Sequence, residues 1–590
     1  MPSLSQLPPV PTFEGSRRLT GPNLYFTQGG AVLQTLMPVD AVLQARWQAH
    51  VAQARQRLGW PQAPAVVRPH AGGAALALAS PADQWMCATH VNEWAWLSAL
   101  GLPWSASDEA PSALAQPGDV WAELQALSAS ERDPALLDLI QAAERQGNFP
   151  VLVDDDQVSL GLGRRSQTWP RQALPEPAQV DWPVLGRITT ALVTGTNGKT
   201  TSVRLLTAIA AAAGLRAGQC STEGLVVDGL TVQEGDCAGP DSARQLLRQT
   251  IDLAVLETAR GGLLRRGLAL ARCDVALITN VSADHLGEYG VDTLADLADV
   301  KWLVAQTVQA GGLLVLPAED ALLRQRALAH AGRIAWFGLD DDLPHLQQHR
   351  ELGGATCALG RGRLRLVDPV SALDADLGAV DEMPLSAGGH ARYNIANLAG
   401  AALAAQGLGL PLQAIREVLQ RFGRSRADNP GRLEHWALED VQVWLDFAHN
   451  PEGLSGLLAV ARSTRPRRLA LLLGQAGDRT LAELQALAAA AASVRPDCII
   501  VKELPEYARG RLPGEVTAQL HSALLALGVP TTRLRWAASE REAIEVALAW
   551  AEAGDALVLP VHASAAREQT RALLDGLAAS RWRAGAPLHP

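Results

Sequence analysis

Cysteine is scarce in this chain, and the features that mark several protein classes are missing. Six cysteines are spread over 590 residues without a C-x-x-C pair, which argues against a zinc module and against a disulfide framework. No uncharged apolar run reaches about 18 residues, so no membrane span is predicted. The opening segment, MPSLSQLPPVPTFEG, has no charged stretch followed by an apolar core. A secretory signal is therefore not expected.

Blocks of positive charge are also missing. The formal net charge is −10, and the 51 lysines and arginines are scattered along the chain, so nucleic acid is not predicted as a partner. A composition of 48% hydrophobic and 19% charged residues is typical of a globular protein. At roughly 150 residues per domain, the length predicts about four domains. Unpaired cysteines fit a reducing compartment, and the expected localisation is cytoplasmic.

Lysine is the rarest basic residue. Only Lys199, Lys301 and Lys502 occur, and every other basic residue is arginine. A chain that uses arginine almost everywhere keeps a lysine where an amine does something that a guanidinium cannot do. The three lysines are therefore candidates for special roles.

Secondary-structure patterns divide the chain into three parts. Residues 1–180 mix short strands with amphipathic helices and end in a Pro-rich linker, which predicts an α+β domain. Over residues 186–430, short β-branched runs alternate with Ala/Leu-rich helices, a pattern typical of a parallel sheet wrapped by helices. Residues 431–590 repeat this alternation and predict a Rossmann-like α/β domain. The predicted fold class is α/β.

The segment ALVTGTNGKTTSVRLL joins an apolar strand to a helix and has the composition of a phosphate-binding loop. Its glycines let backbone N–H groups approach an anion. Lys199 can reach the β- and γ-phosphates of a nucleotide, and the Thr200 hydroxyl can ligate Mg²⁺. Only two residues separate the glycines, so the loop is shorter than G-x-x-x-x-G-K-[ST]. The predicted nucleotide-binding residues are Gly195, Thr196, Asn197, Gly198, Lys199, Thr200 and Thr201.

Two further residues follow predicted strands and could ligate a metal. Glu257 ends the strand DLAVLE at the carboxyl edge of the sheet, where it could share Mg²⁺ with Thr200. The alternative is an ion pair with a nearby arginine such as Arg260. His285 follows the strand DVALITN and could ligate a second Mg²⁺ or hold its water, with Asp284 adjusting its tautomer or the local charge. The alternative is a hydrogen-bonded surface histidine.

The loop TGTNGKTT resembles the Mur ligase superfamily, which includes the peptidoglycan amino-acid ligases, folylpolyglutamate synthetase and the second half of cyanophycin synthetase. Several other segments are similar to the cyanophycin synthetase branch in particular and follow in the same order. They are EGDCAGPDSA (234–243), LETARGGLLRRGLA (256–269), CDVALITNVSADHLGEYG (273–290), DLADVKWLV (296–304), PGRLE (430–434), DFAHNPEG (446–453) and YARGRLPGEV (507–516).

This resemblance implies roles for four more residues. Lys301 would react with CO₂, and its carbamate would be an anionic ligand near the metal, which arginine cannot form. Asn394 would hold adenine, Arg432 would contact the γ-phosphate, and Asp446 would bind the ribose. ATP would then lie between the central and C-terminal domains, whose closure assembles the site. The implied catalytic residues are Lys199, His285, Lys301 and Arg432, and the implied metal ligands are Thr200, Glu257, His285 and Lys301.

One module of the cyanophycin synthetases is not expected here. Residues 17–26 (RRLTGPNLYF) resemble the opening of that family, and residues 159–169 resemble the stretch before its ATP-grasp domain. Residues 164–192 are too few for an independent domain of roughly 50–250 residues. The ATP-grasp domain is therefore predicted to be absent, and Gly161 and Gly163 are interpreted as turn residues.

The N-terminal domain departs from the family in a second way. The segment HVNEWAW carries Trp94 where an H-x-x-E-H metal motif needs its second histidine. Only His90 and Glu93 remain, whereas catalytic zinc takes three protein ligands. The domain is therefore predicted to be structural or substrate-docking and not a hydrolase.

The resemblance implies an ATP- and Mg²⁺-dependent amide ligase that works through an acyl phosphate. It would join an amino acid, arginine by resemblance, to the aspartate side chain of a cyanophycin-like peptide or polymer. Two alternatives stay open: a catalytically silent accessory subunit of a cyanophycin synthetase, and a Mur-type ligase for a glutamyl or cell-wall acceptor. A full-length cyanophycin synthetase could be the functional partner, and a homo-oligomer is expected.

Overall fold

The N-terminal region contains two small antiparallel sheets and four helices. The structure, a computed structural model, describes residues 12–104 and 120–588. Strands β1 (Phe13–Leu19), β2 (Gly30–Thr35), β3 (Ala65–His70) and β4 (Gly73–Ala79) form one sheet in the order β1-β2-β4-β3. The other elements are α1 (Ala41–Leu58), α2 (Trp85–Ala99), α3 (Val120–Glu131), α4 (Pro134–Gly147), β5 (Val151–Val153), β6 (Gln157–Leu160) and β7 (Gln167–Pro170).

Helices α1 and α2 cover one face of the four-stranded sheet, and the buried Arg55 of α1 ties this layer to the strands. Its guanidinium donates to the carbonyl oxygens of Ala63 (2.6 Å), Pro64 (2.9 Å) and Ala79 (3.0 Å). A buried carbonyl without a donor is destabilising because it has lost its water.

We expect Arg55→Met to lower the free energy of unfolding of this region by about 2–4 kcal/mol, because three carbonyls lose their donor while the apolar stem is kept. Urea denaturation followed by tryptophan fluorescence measures the change. Arg46→Met on the exposed face of the same helix is the matched control. Equal midpoints for the two variants would contradict the structural role of Arg55.

The residues of the incomplete metal motif in the N-terminal region make structural contacts. Trp94 lies in the core between sheet and helices, and Glu93 accepts a hydrogen bond from the backbone N–H of Ser16 at 3.1 Å. In residues 12–104 and 120–588, the one group of three side chains placed to hold a metal lies elsewhere and contains neither His90 nor Glu93. The absence of a three-ligand zinc site in this region stays a prediction.

The central region is a three-layer α/β structure around an eleven-stranded sheet. Its elements are β8 (Thr189–Thr194), α5 (Lys199–Ala212), β9 (Ala217–Ser221), β10 (Gly224–Val227), β11 (Leu230–Glu234), α6 (Pro240–Leu247), β12 (Leu253–Glu257), α7 (Arg260–Arg265), β13 (Cys273–Ile278), α8 (Leu294–Gln306), β14 (Val308–Pro317), α9 (Ala321–Ala327), β15 (Arg333–Gly338), α10 (Pro344–Glu351), β16 (Ala355–Gly360), β17 (Arg363–Asp368), β18 (Leu373–Ala379), α11 (Arg392–Gly407) and α12 (Leu412–Arg421).

The strand order β11-β10-β9-β12-β8-β13-β14-β15-β16-β17-β18 puts β8 at the centre. From β9 to β16 neighbouring strands are parallel, and antiparallel strands extend both edges. Strand β8 lies between β12 and β13, so the chain passes from one side of β8 to the other between these two strands. Such a switch point leaves a crevice at the carboxyl ends of the strands, where ligands bind in open α/β sheets.

Burial on both faces explains why the parallel strands of the central sheet consist almost entirely of apolar residues. Helices α5, α11 and α12 cover one face of the sheet, and α6, α7 and α8 cover the other. Strands buried on both faces lose the alternation of polar and apolar residues that a half-exposed strand shows. The predicted strands TTALVTG, DLAVLE and DVALITN are confirmed for this reason.

The C-terminal region is a second α/β unit with a six-stranded sheet in the order β19-β20-β24-β21-β22-β23. Helices α13, α14 and α15 cover one face, and α16 and α17 cover the other. Its elements are β19 (Glu434–Leu438), β20 (Val441–Asp446), α13 (Pro451–Ser463), β21 (Leu469–Leu473), α14 (Leu481–Ser493), β22 (Cys498–Lys502), α15 (Glu515–Ala526), β23 (Leu534–Ala537), α16 (Glu540–Trp550), β24 (Ala556–Pro560) and α17 (Ser564–Ala579).

Several negative predictions can be compared with the described residues. Gly161 and Gly163 have φ angles of 78° and 59°, as expected for turn residues that need a left-handed backbone. All six cysteines are buried and unpaired. Among the helices in residues 12–104 and 120–588, none combines the length and the apolar character needed to span a bilayer.

Candidate functional site

A cleft of about 790 Å³ separates the carboxyl edge of the central sheet from the C-terminal region. Its walls come from loops after β8, β12 and β13, from α8 and α11, and from the first loops of the C-terminal sheet. Every residue predicted from the sequence to bind the nucleotide or the metal lines this one cleft. They are Gly195, Thr196, Asn197, Gly198, Lys199, Thr200, Thr201, Glu257, His285, Lys301, Asn394, Arg432 and Asp446.

Glycines shape the loop between β8 and α5. Gly195 has φ = 151°, and a Cβ there would lie 1.8 Å from Oγ1 of Thr279. Gly198 has φ = 83°, and its Cβ would lie 2.2 Å from Oδ1 of Asn397. Asn280 fixes the loop by accepting the backbone N–H of Asn197 at 2.9 Å. Because α5 begins directly after Gly198, its first N–H groups have no intrahelical acceptor and face the cleft as an anion site.

Thr200 and Glu257 form a buried pair beside this helix terminus. The Thr200 hydroxyl donates to Oε2 of Glu257 at 2.9 Å, while Oε1 of Glu257 is buried and has no hydrogen-bond partner. Burial raises the pKa of Glu257, opposed by the positive charge of Lys199. The alternative ion pair with Arg260 does not form, because Arg260 pairs with Glu288 instead. A buried carboxylate oxygen without a partner next to a hydroxyl suits a hard cation.

Lys301 lies on α8 with its amine in the same cleft. Helix α8 begins with a capping box between Thr293 and Asp296, and Arg68 of the N-terminal region donates to Asp296 at 2.6 Å. Lys301 is buried, and within the described residues its amine has no hydrogen-bond partner. Burial, with a smaller effect from the charge of Lys199, lowers the pKa of Lys301 well below its usual value. The neutral amine is therefore favoured.

His285 contributes to the contact between the central and C-terminal regions. Its Nδ1 lies 3.1 Å from Oε1 of Glu288, and its Nε2 lies 2.7 Å from Nη2 of Arg479. Arginine can only donate, so Nε2 accepts and Nδ1 carries the proton. Of the two effects expected of Asp284, the hydrogen bond that would set the tautomer does not form, because Asp284 pairs with Arg479 (3.0 Å) and His449 (3.5 Å). Glu288 makes that hydrogen bond instead, and Asp284 contributes only a negative charge near His285.

His285 and Glu288 also belong to the one candidate cation group found in residues 12–104 and 120–588. Ligand atoms of His285, Glu288 and Asp478 lie within 4.8 Å of one another. The hydrogen bond from His285 and the charge of Arg260 lower the pKa of Glu288 to about 2 against the effect of burial. The group lies across the two regions, so its geometry depends on how they meet.

Arg432 lies in the segment between the central and C-terminal regions. It is half-buried, donates to Oε1 of Glu223 at 3.3 Å, and stacks over Phe447 with its guanidinium carbon 4.4 Å from the ring centroid. Arg567 also binds Glu223, at 3.0 Å, and lies 5.0 Å from the same ring. Two guanidinium groups thus share one carboxylate, which leaves positive charge at this end of the cleft.

The side chains predicted to bind adenosine already form hydrogen bonds within the protein. Asn394 donates to the carbonyl of Leu385 at 3.0 Å and accepts from Asn397 at 3.1 Å. The two oxygens of Asp446 accept the backbone N–H groups of Leu433 (2.6 Å) and Ala448 (2.7 Å). Each side chain keeps further donor or acceptor capacity, so the predicted contacts with adenine and ribose stay predictions.

Several lining residues were not identified from the sequence. Asn280 follows β13, Arg479 lies after β21, and His562 lies after β24. All three are at carboxyl ends of parallel strands, the position where ligand contacts are expected. Applying that rule to every predicted strand, and not only to those with a familiar motif, would have found them.

The sequence matches two domain families of known proteins and is similar to several characterised enzymes. Residues 193–405 match the family described as Mur ligase middle domain, and residues 431–560 match the Mur ligase, glutamate ligase domain. The cyanophycin synthetase of Geminocystis herdmanii is 34% identical over 413 residues, which cover 68% of this chain and 46% of that protein. The cyanophycin synthetase of Synechocystis sp. is 37% identical over 374 residues, covering 62% and 42%.

The chain therefore spans less than half the length of these curated relatives. Among solved structures, a bifunctional folylpolyglutamate synthase/dihydrofolate synthase with Mn, AMPPNP and L-glutamate bound is similar with a TM-score of 0.48 and 21% identity. That match covers 65% of this chain and 89% of the solved one.

Proposed function

We propose, from the premise that this chain belongs to the Mur ligase superfamily, that it is an ATP- and Mg²⁺-dependent carboxylate–amine ligase working through an acyl phosphate. The observation that carries the proposal is the buried Thr200–Glu257 pair, whose free carboxylate oxygen lies beside the Lys199 loop. The family membership rests on matches to residues 193–405 and 431–560. The activity of the whole chain goes beyond those matches and is what we propose.

The residues of the cleft fit a magnesium nucleotide. Thr200 and Glu257 would hold the metal, a carbamate of Lys301 would complete its surroundings, and bound Mg²⁺ would offset the negative charge of the phosphates. His285 would join them by exchanging the contact between its Nε2 and Arg479 for the metal or its water. The unpartnered amine of Lys301, with its lowered pKa, suits reaction with CO₂ because only the neutral amine is nucleophilic. The carbamate would turn a buried amine into an oxygen ligand.

In the first half-reaction, an oxygen of the acceptor carboxylate attacks the γ-phosphorus of ATP, and the bond to the β,γ-bridging oxygen breaks to give an acyl phosphate and ADP. The N-terminus of α5 and Lys199 hold the phosphates on one wall of the cleft. Arg432 would approach from the other wall, where its planar fork stabilises the transferred charge. Asn394 and Asp446 would hold adenine and ribose.

In the second half-reaction, the amine of an amino acid attacks the acyl carbon and displaces inorganic phosphate, and the amine loses a proton as the amide forms. We propose that the amine donor is arginine and that the acceptor is an aspartate side chain of a cyanophycin-like peptide or polymer. The support is the 34–37% identity to cyanophycin synthetases. A full-length cyanophycin synthetase would supply such chains as the functional partner.

The organisation of the chain is part of the same proposal. We place an N-terminal domain and linker at residues 1–180, the ATP-binding domain at residues 186–430 and the third domain at residues 431–590. The N-terminal domain would hold the helix of Lys301 in place, since Arg68 donates to the carbonyl of Gly290 and the backbone N–H of Ala71 donates to Asp292, both just before α8. The protein would act in the cytoplasm as a homo-oligomer.

Phosphate release from ATP tests the proposed function. Purified protein with Mg²⁺ is assayed with an aspartyl peptide as acceptor and each amino acid in turn. Turnover that requires both the acceptor and one amino acid supports a ligase, and arginine is the expected amino acid. No turnover with any pair would favour a silent accessory subunit. Turnover only with glutamate and a γ-carboxyl acceptor would favour the glutamyl ligase.

A further inference from the structure

The third lysine of the chain is buried beside the cleft in a site that suits an ammonium. Lys502 ends β22, is 1% exposed and forms an ion pair with Glu540 at the start of α16. Its Nζ also donates to the carbonyl of Pro560 at 2.5 Å and lies 3.4 Å from Nδ1 of His562. Three acceptors around one nitrogen match the three donors of an ammonium, whereas a planar guanidinium is too large and has the wrong geometry.

This arrangement determines which nitrogen of His562 carries the proton. An ammonium only donates, so Nδ1 of His562 must accept, and the proton of the neutral ring is on Nε2. The other group near Nδ1, Oε1 of Glu540, is 3.6 Å away, which is beyond hydrogen-bond distance. Glu540 instead accepts the backbone N–H groups of His562 (2.8 Å) and Ala563 (2.9 Å). Burial lowers the pKa of His562 to about 4, so the ring is neutral at physiological pH.

The Nε2–H of His562 is left without a protein partner. Nε2 is buried and makes no hydrogen bond within the described chain, and His562 lines the cleft. An unpaired buried donor destabilises a fold because it has lost its hydrogen bond to water, so a donor kept in this state indicates a ligand that accepts from it. The ring meets the edge of Phe447 at 5.8 Å, and the same phenyl ring carries Arg432 and Arg567. The surroundings favour an anion.

We propose that His562 donates its Nε2 proton to an anionic oxygen of a bound substrate, and that Lys502 is the positioning residue that fixes the required tautomer. The inference rests on the proposed function, in which ATP and an amino acid occupy the cleft. The oxygen belongs either to a phosphoryl group of ATP or to the carboxylate of the amino acid. Both present the same chemistry to the imidazole, and kinetics separate them.

The test compares His562→Leu with His562→Gln, whose amide can place an N–H near the position of Nε2. We expect His562→Leu to raise one KM by about 10- to 100-fold, as for loss of a hydrogen bond to a charged group, and His562→Gln to recover most of it. A rise in the KM of ATP identifies the phosphoryl oxygen, and a rise in the KM of the amino acid identifies the carboxylate. His435→Gln, in the same region but outside the cleft, should match the wild type.

An active wild type with unchanged KM values in His562→Leu would overturn this inference and leave the ligase proposal standing. A wild type that neither binds AMPPNP in calorimetry nor releases phosphate would overturn both. The two failures are therefore distinguishable by the wild-type measurement alone.

The role of Lys502 has a readout that does not depend on activity. In wild-type protein with ¹⁵N-labelled histidine, the signal lost in His562→Gln should show the Nε2–H tautomer, and an Nδ1–H tautomer would contradict the proposal. Lys502→Met combined with Glu540→Gln leaves no unpaired buried charge, and we expect it to reproduce the KM change of His562→Leu. Adding His562→Leu to that variant should have no further effect, because coupled residues are not additive.

Discussion

Replacing Lys301 with alanine should lower turnover by about 100-fold, the upper end of the range for losing groups that support a metal site, while AMPPNP binding stays close to that of the wild type. In the proposed site, the loop before α5 binds the nucleotide, whereas Lys301 acts only through the metal. Nucleotide binding should therefore survive the loss of Lys301. Formate or acetate added at millimolar concentrations should restore part of the activity, because a small carboxylate can occupy the place of the carbamate. Phosphate release and calorimetry measure the two effects.

Two further variants make the Lys301 result specific. Lys301→Arg keeps a positive charge but cannot form a carbamate, so it should be as inactive as the alanine variant. Lys199→Ala should also be inactive, but acetate should not rescue it, since the lost group is a cation that binds phosphate. Full activity in Lys301→Ala would remove the carbamate from the proposal.

Replacing Glu257 with glutamine should cause a second large loss, more than about 100-fold in turnover, with a much higher Mg²⁺ requirement for what remains. Glutamine has nearly the same shape and can keep the contact with Thr200, but it lacks the negative charge that a hard cation needs. The variant should fold well. Burial raises the pKa of Glu257, and a neutral amide removes the energetic cost of burying a carboxylate.

Thermal unfolding without Mg²⁺ and phosphate release across a Mg²⁺ titration measure these two expectations. We expect the midpoint of Glu257→Gln to equal or exceed that of the wild type in the absence of metal. Glu319→Gln, at an exposed position after β14, is the control and should leave the Mg²⁺ dependence unchanged. A Glu257→Gln variant with wild-type activity at low Mg²⁺ would exclude this carboxylate as a metal ligand.

Much of the fold follows from local sequence patterns. The runs TTALVTG, DLAVLE and DVALITN are apolar along their whole length because both faces of the sheet are covered, and this property is visible in the chain itself. The helix that carries Lys301 is signalled by its capping box, Thr293 to Asp296, as well as by its apolar spacing. The antiparallel strands at the sheet edges lack such a signal, and they were not predicted.

The site was predictable to the extent that its residues follow strands or belong to a recognised motif. Glu257 was assigned to a ligand-binding edge because it ends a strand, and the structure puts it against Thr200. The hydrogen-bond partners of His285 were not predicted, because Arg479 is far along the chain and Glu288 follows three residues later in a loop without regular structure. Pairings of this kind depend on how two regions meet, and no local pattern encodes them.

The sequence by itself determined that this protein has a glycine-rich loop between a strand and a helix, residue types that suit a magnesium nucleotide, and only three lysines among its 51 basic residues. Local backbone propensity and strand periodicity act over a few residues, so the chain order is enough to establish them. The tertiary structure alone decided which groups have no partner among the described residues: one oxygen of Glu257, the amine of Lys301 and Nε2 of His562. Desolvation and hydrogen bonding depend on neighbours brought together from distant parts of the chain, and those neighbours are set only when the sheets and helices pack.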